Sequence, residues 1–132
     1  MSTQYAIGDI HGCLHTFEAL LDQISLTTSD ELFLLGDYID RGWNSKGVID
    51  KIIALRQEGY HVTTLRGNHE QMLIDSWKEE VEQGYRFTGD EDLLQSFGAR
   101  SVKDIPTSYI DFCHSLPYYH TDWHSTFWFT LG

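Results

Sequence analysis

Each of three short apolar runs in the first half of the chain is followed by a polar cluster that begins with a glycine or an arginine. The runs are 5–7, 31–35 and 61–65, and the polar clusters that follow them are 8–12, 36–42 and 66–70. Amphipathic stretches separate the runs, and this alternation predicts a βαβαβ unit with parallel strands. In an open α/β sheet, ligands bind at the carboxyl ends of the strands. We therefore expect the three polar loops to converge on one crevice.

The stretches between and after the runs show helical periodicity. Phe17, Leu21 and Ile24 recur along one face of the first predicted helix. Ser45 is placed to cap the second predicted helix, and Gly59 ends it. Further helices are predicted over 69–82, 90–97 and 106–116, followed by two antiparallel strands over 118–120 and 125–130. The predicted fold class is α/β, with an N-terminal βαβαβ portion, extra helices and a C-terminal β-hairpin.

The composition indicates one globular domain, which we place over residues 1–132. Hydrophobic residues make up 41% of the chain, enough for a core. Twenty acidic against nine basic residues give a net charge of -11, which disfavours nucleic-acid polymers as partners and favours a divalent cation. No leader-like start and no run of ~18 apolar residues is present. We therefore expect no membrane contact and a cytoplasmic location.

The side chains in the three loops are of the types that bind divalent metals. Asp9 and His11 alternate around one apolar residue, so in an extended segment both would point the same way and hold one cation. Asp37 has two carboxylate oxygens and can serve two cations, and Asn68 offers a neutral oxygen. Two such ions, ~3.5 to 4 Å apart, can activate a water and clamp a phosphate.

The same loops also carry groups suited to phosphate transfer. His69 is placed to protonate a leaving oxygen, and Asp40 is a plausible partner that fixes its tautomer. Arg41 and Arg66 offer paired donors for phosphate oxygens. The expected reaction is hydrolysis of a phosphate ester.

Together the three loops resemble the signature blocks of the calcineurin-like metallophosphoesterases, and the run 66–75 is similar to phage and bacterial serine/threonine protein phosphatases. The resemblance implies a metallophosphoesterase-type α/β sandwich around a dinuclear site. It also implies a role for each loop residue. Asp9, His11 and Asp37 would hold the first metal, and Asp37 and Asn68 would begin the second metal site. His69 would be the general acid with Asp40 beside it, and Arg41 and Arg66 would bind phosphate. The expected cofactors are two divalent ions, manganese first, with iron, zinc or nickel as alternatives.

The end of the chain departs from the family pattern. The family completes its second metal site with two later histidines, and Thr130 stands where the first of them is expected. His114, His120 and His124 lie nearby but are not expected to replace it. We therefore expect a truncated domain in which the second sheet is largely missing and the second metal site is weakened. The apolar final strand would then be open to self-association.

Three functions stay open from the sequence. The main expectation is a metal-dependent phosphatase acting on phosphoserine or phosphothreonine in proteins, because Arg66 and Glu70 look more like that branch. An alternative is a weak or inactive remnant that binds at most a metal or a partner. A further alternative is a hydrolase of dinucleoside polyphosphates, a small phosphoester substrate.

Overall fold

The parallel sheet and its helices follow the order expected from the sequence. The computed structural model describes residues 2–84 and 90–121 and the backbone of 127–129. Its elements are β1 (Gln4–Ile7), α1 (Leu14–Ile24), β2 (Glu31–Leu34), α2 (Ser45–Gln57), β3 (His61–Thr64), α3 (Asn68–Gln83), α4 (Glu91–Phe97), a 3-10 turn (Val102–Asp104), α5 (Thr107–Ser115), β4 (Tyr119–Thr121) and β5 (Phe127–Phe129). The βαβαβ unit, the extra helices and the C-terminal hairpin are confirmed. The 3-10 turn was not predicted.

Strand β2 lies at the centre of the three-stranded sheet. The order is β1-β2-β3, both pairings are parallel, and Leu34 lies between Ile7 and Thr64 at the carboxyl edge. Leu32 and Leu34 belong to the main hydrophobic core, which α1, α2, α3, α4 and α5 also build. Because the strands are parallel and in register, the three polar loops leave the sheet at the same edge.

The opposite side of the sheet meets the C-terminal hairpin. Phe33 is buried although it points away from the core side chains Leu32 and Leu34, and its ring lies 5.4 Å from that of His120 in β4. Strand β4 pairs with β5 in antiparallel fashion, with His120 opposite Trp128. The predicted hairpin is therefore present, whereas the turn between its strands and Thr130 lie outside the described residues.

The start of α2 differs from expectation. Asn44, not Ser45, is the N-cap, and its Oδ1 accepts a hydrogen bond from the Gly47 N–H at 2.8 Å. Ser45 is instead the first residue of the helix and is fully buried, where its Oγ accepts from the Asp40 N–H at 3.0 Å. Both residue types cap helices well, so the sequence alone could not choose between them. In the folded chain Ser45 is buried against the backbone of Asp40, which leaves Asn44 as the cap.

The helices after β3 complete the core on one side of the site. The longest is α3, with 16 residues, and its buried Leu73 and Ile74 belong to the same cluster as Ile110 and Phe112 of α5. Across residues 2–84 and 90–121, none of the helices combines the length and the apolar character that crossing a membrane requires.

A buried tyrosine ties the ends of β2 and β3 together. The hydroxyl of Tyr38 lies 2.8 Å from the carbonyl oxygen of Leu34 and 2.7 Å from that of Leu65, and it accepts from the N–H groups of Gly36 and Leu65, both at 3.1 Å. Burial, the largest cause, and the nearby Glu70 carboxylate raise the pKa of Tyr38 well above its ordinary value, so the hydroxyl stays protonated. The hydroxyl thus holds together the two strand ends from which the second and third loops begin.

We expect Tyr38→Phe to lower the free energy of unfolding by about 1 to 3 kcal/mol, because it leaves buried backbone groups without a partner. Urea unfolding would measure the change. Tyr60→Phe is the matched control, since Tyr60 is only partly buried and its hydroxyl makes no hydrogen bond among the described residues. An equal effect of both substitutions would contradict this account of Tyr38.

Candidate active site

The first loop reaches the site through a left-handed backbone and not through an extended one. Asp9 has φ 53 and His11 has φ 44, so the expectation of an extended Asp-Ile-His segment is wrong. The cause is the pairing of this loop with the second one. The N–H of His11 donates to the carbonyl of Asp37 at 2.9 Å, and the carbonyl of His11 accepts from the Gly42 N–H at 2.8 Å. These bonds turn the chain sharply beside the second loop.

Asp9, His11 and Asp37 nevertheless converge as the sequence predicts. One potential ligand atom from each lies within 4.8 Å of the others. The Nδ1 of His11 is 2.8 Å from the carbonyl oxygen of Ile39, so Nδ1 carries the proton and donates, which leaves the Nε2 lone pair for a cation. Two carboxylates and a neutral imidazole with a fixed tautomer are a suitable donor set for manganese, iron or zinc.

Asn68 lies against the other side of Asp37. One atom of its side-chain amide is 3.1 Å from both carboxylate oxygens of Asp37. If that atom is the amide nitrogen, Asn68 donates to Asp37. If it is the amide oxygen, it and the two carboxylate oxygens of Asp37 are three acceptors facing one another, as they would around a shared cation. The N–H of His69 also donates to Asp37 Oδ1, at 3.0 Å. Asp37 and Asn68 therefore fit the predicted start of a second metal site.

A buried glutamate, whose positioning role the sequence reasoning missed, links the second and third loops. Glu70 is 0% exposed, and its carboxylate accepts from the N–H groups of Asp37 at 2.7 Å, Tyr38 at 2.9 Å and Gly67 at 2.9 Å. Burial raises the pKa of Glu70, while these backbone donors act in the opposite direction. The sequence feature that indicates this role is a glutamate at the third position of a helix, where its carboxylate can accept a hydrogen bond from the N-cap backbone.

His69 and Asp40 form the expected pair. The Nδ1 of His69 lies 2.7 Å from Asp40 Oδ2, and both side chains are largely buried. Burial raises the pKa of Asp40, and the hydrogen bond with His69 opposes that rise. The backbone of Asp40 has φ 72 and is held by the Ser45 hydroxyl. The contact orients the imidazole so that Nε2 points away from Asp40.

The two arginines have different surroundings. Arg41 is exposed, and its backbone N–H donates to Asp90 Oδ2 at 3.1 Å. Its guanidinium makes no hydrogen bond among the described residues. It lines a cavity of about 290 Å³ together with His69, Met72 and Asp90. This position suits the predicted contact with phosphate.

The guanidinium of Arg66 is engaged with the end of α5. It donates to the carbonyl oxygens of His114 at 2.6 Å and Leu116 at 3.0 Å, and to the side chains of Gln71 and Tyr118. Its carbon centre also lies 4.6 Å from the centre of the Tyr118 ring. These contacts give Arg66 a structural part, since a cation stabilises the carbonyl end of a helix. A phosphate contact by Arg66 stays a prediction.

The pattern that describes calcineurin-like phosphoesterases matches residues 3–131, nearly the whole chain. The chain belongs to the calcineurin-like phosphoesterase family. The resemblance drawn from the three loops is thereby confirmed, together with the α/β fold class. The members of that family are metal-dependent hydrolases.

Curated relatives of the phosphoesterase include symmetrical bis(5'-nucleosyl)-tetraphosphatases. The protein of that name from Dechloromonas aromatica (strain RCB) is 33% identical over 121 residues, which cover 89% of this chain and 40% of the relative. The one from Erwinia tasmaniensis is 44% identical over 75 residues, covering 56% of this chain and 26% of the relative. The phosphoesterase chain thus spans less than half the length of these relatives.

Solved structures show the same fold. A provisionally assigned diadenosine tetraphosphatase superposes with a TM-score of 0.63 at 25% identity, over 91% of this chain and 49% of its own. A protein serine/threonine phosphatase from Saccharomyces cerevisiae gives a TM-score of 0.59 at 20% identity, over 90% of this chain and 38% of its own. The phosphoesterase chain therefore corresponds to part of the metallophosphoesterase fold.

We expect Glu70→Gln to lower the free energy of unfolding by about 2 kcal/mol, because the amide nitrogen cannot accept from all the N–H groups that the carboxylate serves. Manganese affinity should fall as well, since Asp37 loses its backbone anchor. Calorimetric metal titration and urea unfolding would measure the two effects. The control is Glu79→Gln, an exposed glutamate on the same helix. Unchanged manganese binding in Glu70→Gln would argue against the anchoring role.

We expect Gly67→Ala to damage the metal site by a steric route. A Cβ on Gly67 would overlap Oδ1 and N of Asp37, so either the carboxylate moves or the loops separate, at a cost of about 1 to 3 kcal/mol. The control is Gly8→Ala in the first loop, where the nearest atom to a new Cβ is 3.8 Å away, on Leu35. Manganese titration should show weaker binding for Gly67→Ala alone, and weaker binding in both variants would speak against a steric cause.

Proposed function

We propose that this chain provides the metal-binding and acid-base half of a hydrolase that cleaves the phosphate chain of dinucleoside tetraphosphates. The observation that carries the proposal is the meeting of Asp9, His11 and Asp37 within 4.8 Å at the carboxyl edge of the sheet. The His69 and Asp40 pair lies next to it, with the two histidine rings 4.7 Å apart in an edge-to-face arrangement. Metal ligands and a general acid thus share one crevice.

Two divalent ions fit the side chains present. Asp9, His11 and Asp37 would hold the first, and Asp37 with Asn68 would begin the second. When bound, such ions lower the pKa of a water and neutralise phosphate charge. Manganese is the expected metal, and iron, zinc or nickel suit the same mixed oxygen and nitrogen donors.

The protein's own groups would then position and protonate the substrate. Arg41, exposed and unengaged among the described side chains, would bind phosphate oxygens. His69 would donate a proton from Nε2 to the leaving oxygen, and Asp40, 2.7 Å from Nδ1, would hold the ring in place for this transfer. The buried position of Asp40 keeps this hydrogen bond in a low-dielectric environment, which strengthens it.

The curated relatives support the nucleotide substrate over a phosphoprotein. Their name denotes hydrolysis of bis(5'-nucleosyl) tetraphosphates, and the relative from Dechloromonas aromatica matches 89% of this chain. The main expectation from the sequence was a protein phosphatase, and the relatives favour its further alternative. Because the chain spans only 40% of that relative, the complete activity is a proposal for this chain.

A phosphoprotein remains the second candidate because of the His69 and Asp40 pair. The alkoxide of serine or threonine is a stronger base than the phosphate that leaves when an anhydride is cleaved, so its departure needs a general acid more. A histidine held at 2.7 Å by a carboxylate suits that need. Replacing His69 should therefore slow hydrolysis of a phosphoprotein more than hydrolysis of a dinucleoside tetraphosphate.

We expect the purified chain to show manganese-stimulated hydrolysis of diadenosine tetraphosphate, faster than that of a phosphoserine peptide. His69→Ala should lower the rate about 10²-fold or more on the peptide and less on the nucleotide. Asp37→Asn should abolish both the rate and tight metal binding. Product analysis by chromatography, with metal content measured on the same samples, would test this.

The outcomes separate the candidate functions. Preference for the peptide would favour a protein phosphatase, and manganese binding without hydrolysis of either substrate would favour the remnant. Equal rates for the wild type and Asp37→Asn would show that the activity does not come from this site.

A further inference from the structure

A second hollow opens beside the first two loops, away from the residues given roles so far. It measures about 460 Å³, and Gly12, Gly42, Trp43, His15, Thr16 and Asn44 contribute to its walls. This volume lies within the range of ~300 to 1,000 Å³ usual for small-molecule sites. Gly12 ends the loop that carries Asp9 and His11, and Gly42 follows Arg41 directly. The hollow is therefore continuous in sequence with the metal ligands and the proposed phosphate contact.

Trp43 presents an indole ring to solvent at this place. It is 87% exposed, the largest value among the large hydrophobic residues of 2–84 and 90–121, of which the next is Tyr119 at 59%. Tryptophan side chains are highly buried on average in folded proteins. A tryptophan displayed in this way beside a hollow marks a surface that is available for a planar apolar group.

The backbone on both sides of Trp43 is fixed. The N–H of Gly42 donates to the carbonyl oxygens of His11 at 2.8 Å and Asp40 at 2.9 Å, and the N–H of Asn44 donates to Gly12 at 3.0 Å. Asn44 also caps α2. The indole is thus carried by a rigid segment joined to the metal-binding loop, which reduces the entropy lost when a ligand stacks on it.

We propose that this hollow binds a nucleobase of the substrate, stacked on the indole of Trp43. Every nucleobase offers a flat π-face for an aromatic side chain, and polar edges that His15, Thr16 and the Asn44 amide nitrogen can meet. The proposal rests on the proposed function, since the phosphate chain would run from the base past Arg41 to the metal ligands. It adds a substrate-binding residue, Trp43, which would favour a nucleotide over a plain phosphate.

The kinetic test compares substrates with and without a base. Trp43→Ala should raise KM for diadenosine tetraphosphate about tenfold with little change in kcat, and should leave KM for inorganic tripolyphosphate unchanged. Trp43→Phe should keep most of the affinity because it keeps an aromatic face. Trp43→Leu, which has apolar bulk without a ring, should behave like Trp43→Ala. Unfolding midpoints should be equal in all variants, since the indole is exposed.

A binding test needs no catalysis. Diadenosine tetraphosphate should quench part of the tryptophan fluorescence of the metal-free chain, and that part should be missing in Trp43→Phe. Quenching without any hydrolysis would sustain the base site while removing the proposed function. Hydrolysis with identical KM in the wild type and Trp43→Ala would overturn the base site alone. An equal rise in KM for a phosphoserine peptide and for the nucleotide in Trp43→Ala would also overturn the base site.

Discussion

The buried carboxylate of Glu70 is the interaction on which the geometry of the site depends. It accepts N–H groups from the loop after β2, at Asp37 and Tyr38, and from the start of α3, at Gly67. One side chain therefore sets the distance between the two loops that carry Asp37, Asn68 and His69. Because a buried charge is stable only when its hydrogen bonds are complete, any displacement of either loop is costly.

This anchoring offsets strain in the backbone of the site. Among the described non-glycine residues, positive φ angles concentrate there, and the set is Asp9, His11, Asp37, Asp40 and Arg41, with Ser25 as the outlying member. Such conformations cost on the order of 1 kcal/mol or more each and persist only where surrounding contacts over-determine them. Backbone hydrogen bonds between the first two loops and the hydroxyl of Tyr38 supply those contacts. The candidate metal-binding residues and His69 are thus held in place by the fold itself.

The two arginines have different surroundings, and two hollows open near the first two loops. Arg41 faces the cavity that also contains His69, whereas Arg66 is engaged by the end of α5. Trp43 lines the second hollow, close to Arg41 in the sequence. The proposed nucleotide substrate would place its phosphate chain at Arg41 and a nucleobase at Trp43.

The sequence by itself predicted the parallel strands, the edge at which the loops meet and the residue types suited to metal binding, because these follow from hydrophobic periodicity and from the chemistry of aspartate and histidine. It could not determine how Asp9 and His11 converge, since their left-handed backbone results from bonds to the second loop. The choice of Asn44 over Ser45 as helix cap, the anchoring by Glu70 and the engagement of Arg66 were decided only by the tertiary structure. The hydrogen bonds of Glu70 and Arg66 reach partners distant in sequence, and the cap depends on the burial of Ser45 against the Asp40 N–H, so all three arise only when the chain is packed.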